Sequence, residues 1–413
     1  MFTLIENGEV YSPEPIGKVS VLIANDHIVK IGETDARALK NLGVEHEVID
    51  ASDCVVTPGF IDPHQHLLGG SGEEGFASQT PEISLSEIVS AGITTVVGCL
   101  GADTRMKTLP GLLAKVKGLE EEGLNARMWS GGYRVPPTSI TDSVSNDIMF
   151  IDEVIGTGEI AIADERSSDP TVQEFARIAH ETYLAGMLAS KAGLVHIHVG
   201  NGEERLKLLR DVIKQNAVRP EWLYVTHISR SEKLMNEAIE LAKNGSFVDI
   251  DTVDENLAEC LNFYIENYGW EEKLTISSDA SKTGPRNLFE QVRSCVNEHG
   301  FALERVLPFV TYNTACALKL KTKGQVAEGK IADILVMRRE GLELVEVLSR
   351  GRRMFREGKL SAREKFLEDS NRSIELHGSK NGSSNGEDPY FETTQVLKTS
   401  VDDSVMCKEV KSA

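Results

Sequence analysis

The chain has 413 residues, of which 40% are hydrophobic and 26% charged, with a formal net charge of −20. This is enough for one large domain or two to three smaller ones, and the composition is that of an ordinary globular protein. The acidity argues against nucleic acid or an anionic membrane as a partner, since both are bound through basic patches.

No apolar run approaches the roughly 20 residues that span a bilayer. The opening Met1-Phe-Thr-Leu-Ile-Glu has no basic segment followed by an apolar core, so no secretion signal is expected. The six cysteines, at 54, 99, 260, 295, 316 and 407, show no short paired spacing. They read as reduced core residues of a cytoplasmic protein.

Residues 1–55 alternate short strands and turns. Val19-Ser-Val-Leu-Ile-Ala and His27-Ile-Val-Lys-Ile flank a turn at Asn25-Asp26. The same texture returns in Ala332-Asp-Ile-Leu-Val-Met, Val345-Glu-Val-Leu and Arg353-Met-Phe-Arg. Two strand-rich ends around a different middle predict one small β-sandwich domain, built from residues 1–55 and 326–365.

Residues 56–325 alternate apolar strands with helical patterns. Phe60-Ile61 is the first strand. The others are Thr94-Thr-Val-Val-Gly, Ala126-Arg-Met-Trp, Glu159-Ile-Ala-Ile-Ala, Leu194-Val-His-Ile-His-Val, Leu223-Tyr-Val-Thr-His, Ser246-Phe-Val-Asp-Ile and Leu274-Thr-Ile-Ser-Ser-Asp. Helical patterns cover 109–122, 171–191, 202–215 and 231–243. Eight such units predict a TIM-like (β/α)8 barrel in an α/β fold. A doubly wound sheet is the alternative, but its Gly-rich dinucleotide turn is not found. Residues 366–413 are rich in Ser, Asn, Gly and Lys with weak apolar periodicity, and predict a disordered tail.

A barrel keeps its chemistry at the C-terminal strand ends. His64 and His66 end the first strand, and residues two apart on a strand share a face. Glu159 flanks the Ile-Ala-Ile strand, with Asp164, Glu165 and Arg166 at its far end. His196 and His198 lie on one face of the next strand, so the two are rivals as ligands. The position nearer the strand end favours His198. His227 and Asp279 end two later strands. Imidazoles and carboxylates gathered in this way predict a metal site, zinc first, with manganese, iron or cobalt as other choices. Two ions roughly 3.5–4 Å apart can share a hydroxide and polarise a carbonyl. A nearby aspartate can take the proton and pass it to a leaving amine.

Pro58-Gly-Phe-Ile-Asp-x-His64-x-His66 resembles the first-strand motif of the amidohydrolase superfamily. Gly69-Gly-Ser-Gly-Glu73, Gly92-Ile-Thr-Thr-Val-Val-Gly-Cys-Leu-Gly-Ala-Asp103, Gly131-Gly-Tyr133-Arg-Val-Pro, Ile162-Ala-Asp-Glu-Arg166-Ser, Thr226-His227-Ile-Ser-Arg230 and Ser277-Ser-Asp279 are similar to motifs of the isoaspartyl dipeptidases (β-aspartyl peptidases). The likeness runs from residue 1 to about 360.

The resemblance implies that His64, His66 and Asp279 hold one Zn2+ and that His198 and His227 hold a second. It implies Asp279 as general base and acid, and Tyr133 as the group that steadies the oxyanion. Glu73 would meet the substrate α-amino group, Arg166 and Arg230 its carboxylates, and Thr283 would contact substrate through its hydroxyl. It further implies a small isoaspartyl dipeptide as substrate, a role in clearing such fragments, and a homo-oligomer, with an octamer among the assemblies.

The sequence departs from the family at several points. Glu159 stands where a carboxylated lysine usually bridges the metals. Gly156-Thr-Gly158 is one residue longer than expected, which offers a shift that suits the shorter glutamate. Ala102 replaces a threonine and Ser71 a glycine. Two other readings remain at this point. One is a different amidohydrolase reaction, on an N-acyl amino acid or a cyclic amide. The other is a non-catalytic scaffold, which would be expected to lose ligands such as Asp279.

Overall fold

The computed structural model describes residues 1–34, 36–253 and 256–374. Eight parallel strands stand side by side in chain order. They are β1 (Phe60–Gln65), β2 (Ile93–Gly98), β3 (Asn125–Ser130), β4 (Val154–Ile162), β5 (Val195–Val199), β6 (Leu223–Thr226), β7 (Phe247–Asp251) and β8 (Leu274–Ser277). Nearly every residue in them is buried, as expected of strands with side chains packed on both faces. The ring closes where Gln65 bridges Ala280, with His66 N donating to Ala280 O at 2.9 Å. Asp62 Oδ1 adds an accepted hydrogen bond from Ser278 N, at 3.2 Å. The expected TIM-like barrel is present.

The helices between the strands follow their local signals. Leu109–Glu122 matches the expected span. Thr108 caps its start by accepting from Gly111 N, and Gly123, at φ 105°, ends it. Val172–Ala189 opens on a capping box between Thr171 and Glu174. The helix expected over 202–215 starts later, at Lys207–Asn216. Gly202 is needed for a turn instead: a Cβ there would lie 2.7 Å from Ala163 O. Short helices at Leu85–Ser90, Val144–Phe150 and Leu257–Glu266 were not anticipated, being too brief to show a clear period.

The two ends of the chain form two further sheets. One has four strands, all from residues 2–50; the other has seven, drawn from both ends. Ile5, Val21, Ile23 and Ile49 of the first pack with Val56, Ile334, Val336 and Leu348 of the second. Cys54–Pro58 of the seven-stranded sheet runs into β1 with only Gly59 between, so the barrel's first strand is continuous with the outer sheet. Gly59 packs on Thr94, whose Oγ1 would lie 2.2 Å from an added Cβ.

At the base of the barrel Asp333 joins the parts. It accepts from Lys323 Nζ (2.6 Å), Asn125 Nδ2 (3.0 Å) and Arg350 N (2.8 Å). A turn of 3-10 helix at Lys365–Glu368 straddles the boundary at 365/366 where the tail was expected to begin. The tail expected from residue 375 onward lies outside the described residues.

Cys54, Cys99 and Cys295 are buried, as read from the sequence. Cys260 is half-buried. Cys316 is exposed, in the short helix Tyr312–Ala317, which corrects the core reading for that residue.

Candidate metal centre

The polar strand ends converge at the barrel mouth. His64 lies within β1 and His66 just beyond it. Asp62 fixes this turn of chain, accepting from His64 N (3.2 Å) and Gln65 Nε2 (2.7 Å). Glu159 does not flank its strand, as the sequence reading had it, but lies inside the nine-residue β4. Thr157 is opposite Val195 and Ile160 opposite Ile197, so β4 carries one residue more than β5 between these points. That β-bulge, where the sequence shows its extra residue, aims Glu159 into the mouth. Gly158 allows it, since a Cβ there would meet His196 Cβ at 2.6 Å. His227 (φ 64°) and Asp279 (φ 45°) both adopt the left-handed backbone that non-glycine residues rarely use. Both turn the chain at a strand end.

Glu159 is the centre of the cluster. Its Oε2 lies 2.9 Å from His64 Nε2 and 3.7 Å from His66 Nε2. Its Oε1 lies 2.8 Å from His198 Nδ1 and 3.7 Å from His227 Nε2. Asp279 Oδ1 lies 3.0 Å from His66 Nε2 and 3.3 Å from His64 Nε2, while Oδ2 is 4.0 Å from His227 Nε2. One carboxylate therefore faces a pair of imidazoles with each oxygen. The outer ring nitrogens are tied down as well. His227 Nδ1 pairs with Asp251 Oδ2 at 2.7 Å, and His198 Nε2 with Asp164 Oδ2 at 2.9 Å.

Charge follows this packing. Burial disfavours the ionised carboxylate of Glu159, yet His64, His198 and His227 hold it well below the usual range. Asp279 behaves alike, its burial outweighed by His64 and His66. Burial would depress His64, but Glu159 and Asp279 raise it well above an ordinary imidazole. For His227 burial is again outweighed, by Asp251, and the ring rises to about 9.

These residues fit a divalent cation. Three overlapping groups bring ligand atoms within 4.8 Å of one another: His64, His66, Cys99 and Glu159; His64, His227 and Asp279; and Glu159, His198 and His227. Buried Asp279 Oδ1 lies within 3.3 Å of two imidazole nitrogens without a well-aligned hydrogen bond to either. Imidazoles whose protons a cation displaces, together with carboxylates, are the donors that zinc and its neighbours take. His196, the rival to His198, sits deeper. It is fully buried, stacked on Trp129 (centroids 5.1 Å, 14°) and edge-on to His64 (4.8 Å, 84°). Burial and then the His64 charge hold it well below the ordinary imidazole value, so it is a neutral core ring.

Tyr133, Arg166, Glu73 and Arg230, read as substrate contacts, are linked to the same cluster by hydrogen bonds. Tyr133 is buried and its hydroxyl lies 2.9 Å from His198 Nδ1. Burial and then the Glu159 charge keep its phenol protonated. Arg166 is gripped by both oxygens of Asp164, at 2.8 Å each, and stacks over the Tyr133 ring at 5.2 Å. Its Nη1 also donates to Glu73 Oε1 at 2.7 Å. The two groups read as partners of opposite ends of a substrate therefore pair with each other. Arg230 donates to Val199 O at 2.7 Å and comes within 3.4 Å of His198 Nε2. Thr283 lies in the loop after β8, where its carbonyl accepts from Ser281 N. Among the described residues no hydrogen bond joins its hydroxyl to the cluster.

The amidohydrolase family model matches residues 55–354. The chain belongs to the amidohydrolase family.

Among solved structures this amidohydrolase is similar to a β-aspartyl dipeptidase from Fervidobacterium islandicum AW-1 in complex with β-Asp-Leu dipeptide. Identity is 38% and the TM-score 0.81, over 87% of this chain and 98% of that one. A second structure of β-aspartyl dipeptidase from that organism gives 39% and 0.83, over 87% and 99%. Two curated relatives are matched over less than two thirds of their own length. An adenine deaminase from Clostridium perfringens is 25% identical over 410 residues, 91% of this chain and 63% of that protein. A dihydroorotase from Clostridium acetobutylicum is 34% identical over 101 residues, 24% of this chain and 21% of that protein.

Two neighbours of the amidohydrolase cluster were missed from sequence. Asp251 ends β7 in Phe247-Val-Asp-Ile-Asp, and a strand end is where a carboxylate should have drawn notice. Cys99 follows Gly98 at the end of β2 and was read as core. If Asp251 orients the His227 ring, Asp251→Asn lowers metal affinity by about 10–100-fold with the fold intact. Competition with a chromophoric chelator measures this, and unchanged affinity removes the orienting role.

Proposed function

We propose that this amidohydrolase cleaves the β-aspartyl (isoaspartyl) peptide bond of dipeptides. The observation that carries the proposal is the ring formed by Glu73, Arg166, Arg230 and Tyr133 around a cluster of four imidazoles and two carboxylates. The likeness to the β-Asp-Leu-bound dipeptidase supports the same substrate class.

In this reading His64, His66 and Asp279 would hold one ion and His198 and His227 a second, with Glu159 between them and zinc the first choice of metal. Such ions lower the pKa of water and polarise a carbonyl when bound. Asp279, held ionised by His64 and His66 despite its burial, takes the proton from the attacking water and gives it to the leaving amine nitrogen. Water adds to the carbonyl carbon, and the C–N bond breaks. Tyr133, a neutral donor, hydrogen-bonds the carbonyl oxygen as it gains negative charge.

Arg230 and Arg166 receive the substrate carboxylates and Glu73 its ammonium. The Arg166–Glu73 pair is partly exposed, the side chains 30% and 43% accessible, and such pairs are worth about 0–1 kcal/mol. A zwitterionic substrate can therefore separate them at small cost. A cyclic amide or an N-acyl amino acid would leave Glu73 without an ammonium to bind.

Among the described residues no helix is long and apolar enough to cross a membrane. We place the enzyme in the cytoplasm as a homo-oligomer. Phe150, Leu184, Met187 and Leu188 support the assembly, being 50–73% exposed on two neighbouring helices. Light scattering checks it, and a lone 45.3 kDa species contradicts it.

The decisive assay compares β-Asp-Leu with α-Asp-Leu for protein of known zinc content. Cleavage of the β isomer alone is expected, with Asp279→Asn reducing the rate at least about 100-fold. A zinc-loaded protein that cleaves neither isomer points to another amide, and protein that takes up no metal points to a scaffold.

A further inference from the structure

Cys99 stands one residue past Gly98, which is in register with Gln65 of β1. Its neighbour across the strands is thus His66, and Cys99 N donates to Gln65 O at 2.9 Å. The side chain is fully buried. Its Sγ lies 3.7 Å from Glu159 Oε2, 3.7 Å from His66 Nδ1 and 3.5 Å from Gln65 O. All three contacts are long, and a thiol has a single proton to offer. Cys99 packs in a buried apolar cluster with Ile61, Val97 and Trp129, and its sulfur reaches polar atoms as well. It meets Glu159 Oε2 and the Nδ1 of His66, the ring nitrogen opposite the Nε2 that faces Asp279.

The spacing suits a shared ion. A four- or five-coordinate ion with nitrogen or oxygen at about 2.0–2.1 Å and sulfur at about 2.3 Å keeps neighbouring donors roughly 2.9–3.6 Å apart. The sulfur-to-Glu159 distance of 3.7 Å is close to such an edge. His64, His66, Cys99 and Glu159 each offer an atom within 4.8 Å of the others. Asp279 Oδ1 borders the same space, 3.0 Å from His66 Nε2 and 3.3 Å from His64 Nε2.

We propose that Cys99 is a thiolate ligand of the ion held by His64, His66 and Glu159. The S–H proton passes to water as the sulfur–metal bond forms. The centre is then a mixed nitrogen, oxygen and sulfur site, which selects zinc, iron(II) or cobalt over magnesium and manganese. This rests on the metal-centre reading under Proposed function and adds a ligand to it.

Cobalt(II) titration of metal-stripped full-length protein tests the assignment without an activity readout. Wild-type protein is expected to show visible d–d bands together with a near-ultraviolet thiolate-to-cobalt charge-transfer band. Cys99→Ser is expected to keep the d–d bands and lose the charge-transfer band. A band that persists in Cys99→Ser, or that is missing from cobalt-loaded wild type, overturns the assignment. X-ray absorption at the zinc edge of the wild-type protein keeps the test open if the variant does not fold. A sulfur shell at about 2.3 Å supports the ligand, and a shell of nitrogen and oxygen alone overturns it. Wild-type protein that binds neither cobalt nor zinc removes the metal-centre reading itself.

Discussion

One buried carboxylate governs the mouth of this barrel. Glu159 is fully enclosed, and an isolated charge there would cost several kcal/mol. It is tolerated because imidazoles approach both of its oxygens, His64 and His66 on one side and His198 and His227 on the other. The same convergence that offsets the cost of the charge creates a set of lone pairs suited to cations. Stability and function therefore depend on the same contacts.

The surrounding fold serves that arrangement. The bulge in β4 turns Glu159 inward, and Gly158 leaves room for it beside His196. Left-handed residues at His227 and Asp279 end their strands so that both side chains reach the cluster. Asp251 and Asp164 hold the outer nitrogens of His227 and His198, which fixes ring orientation. Asp164 has a second task, since its two oxygens also grip Arg166. The outer ring of charge is thus coupled to the imidazole cluster through one aspartate.

Much of this was legible in the sequence because a barrel repeats one rule. Apolar strands ending in His, Asp or Glu located His64, His66, His198, His227 and Asp279, and the extra residue before Glu159 emerges as the bulge. Contacts made across the mouth were not legible. Nothing in the order of residues says that Glu73 and Arg166 would pair. Cys99 was hidden for a different reason. A cysteine in an apolar run has the same local signature whether it fills a core or faces a metal, and only its register with His66 separates the two. The depth that separates His196 from His198 in the barrel is likewise a quantity that alternation along a strand does not carry.

The most direct test of this account is anomalous diffraction from crystals of the zinc-reconstituted protein, recorded on both sides of the zinc edge. Two zinc peaks are expected, each with one oxygen of Glu159 as a ligand, one beside His64 and His66 and the other beside His198 and His227. A single peak, or two peaks with Glu159 turned away from either, would contradict the bridging carboxylate on which the reading is built.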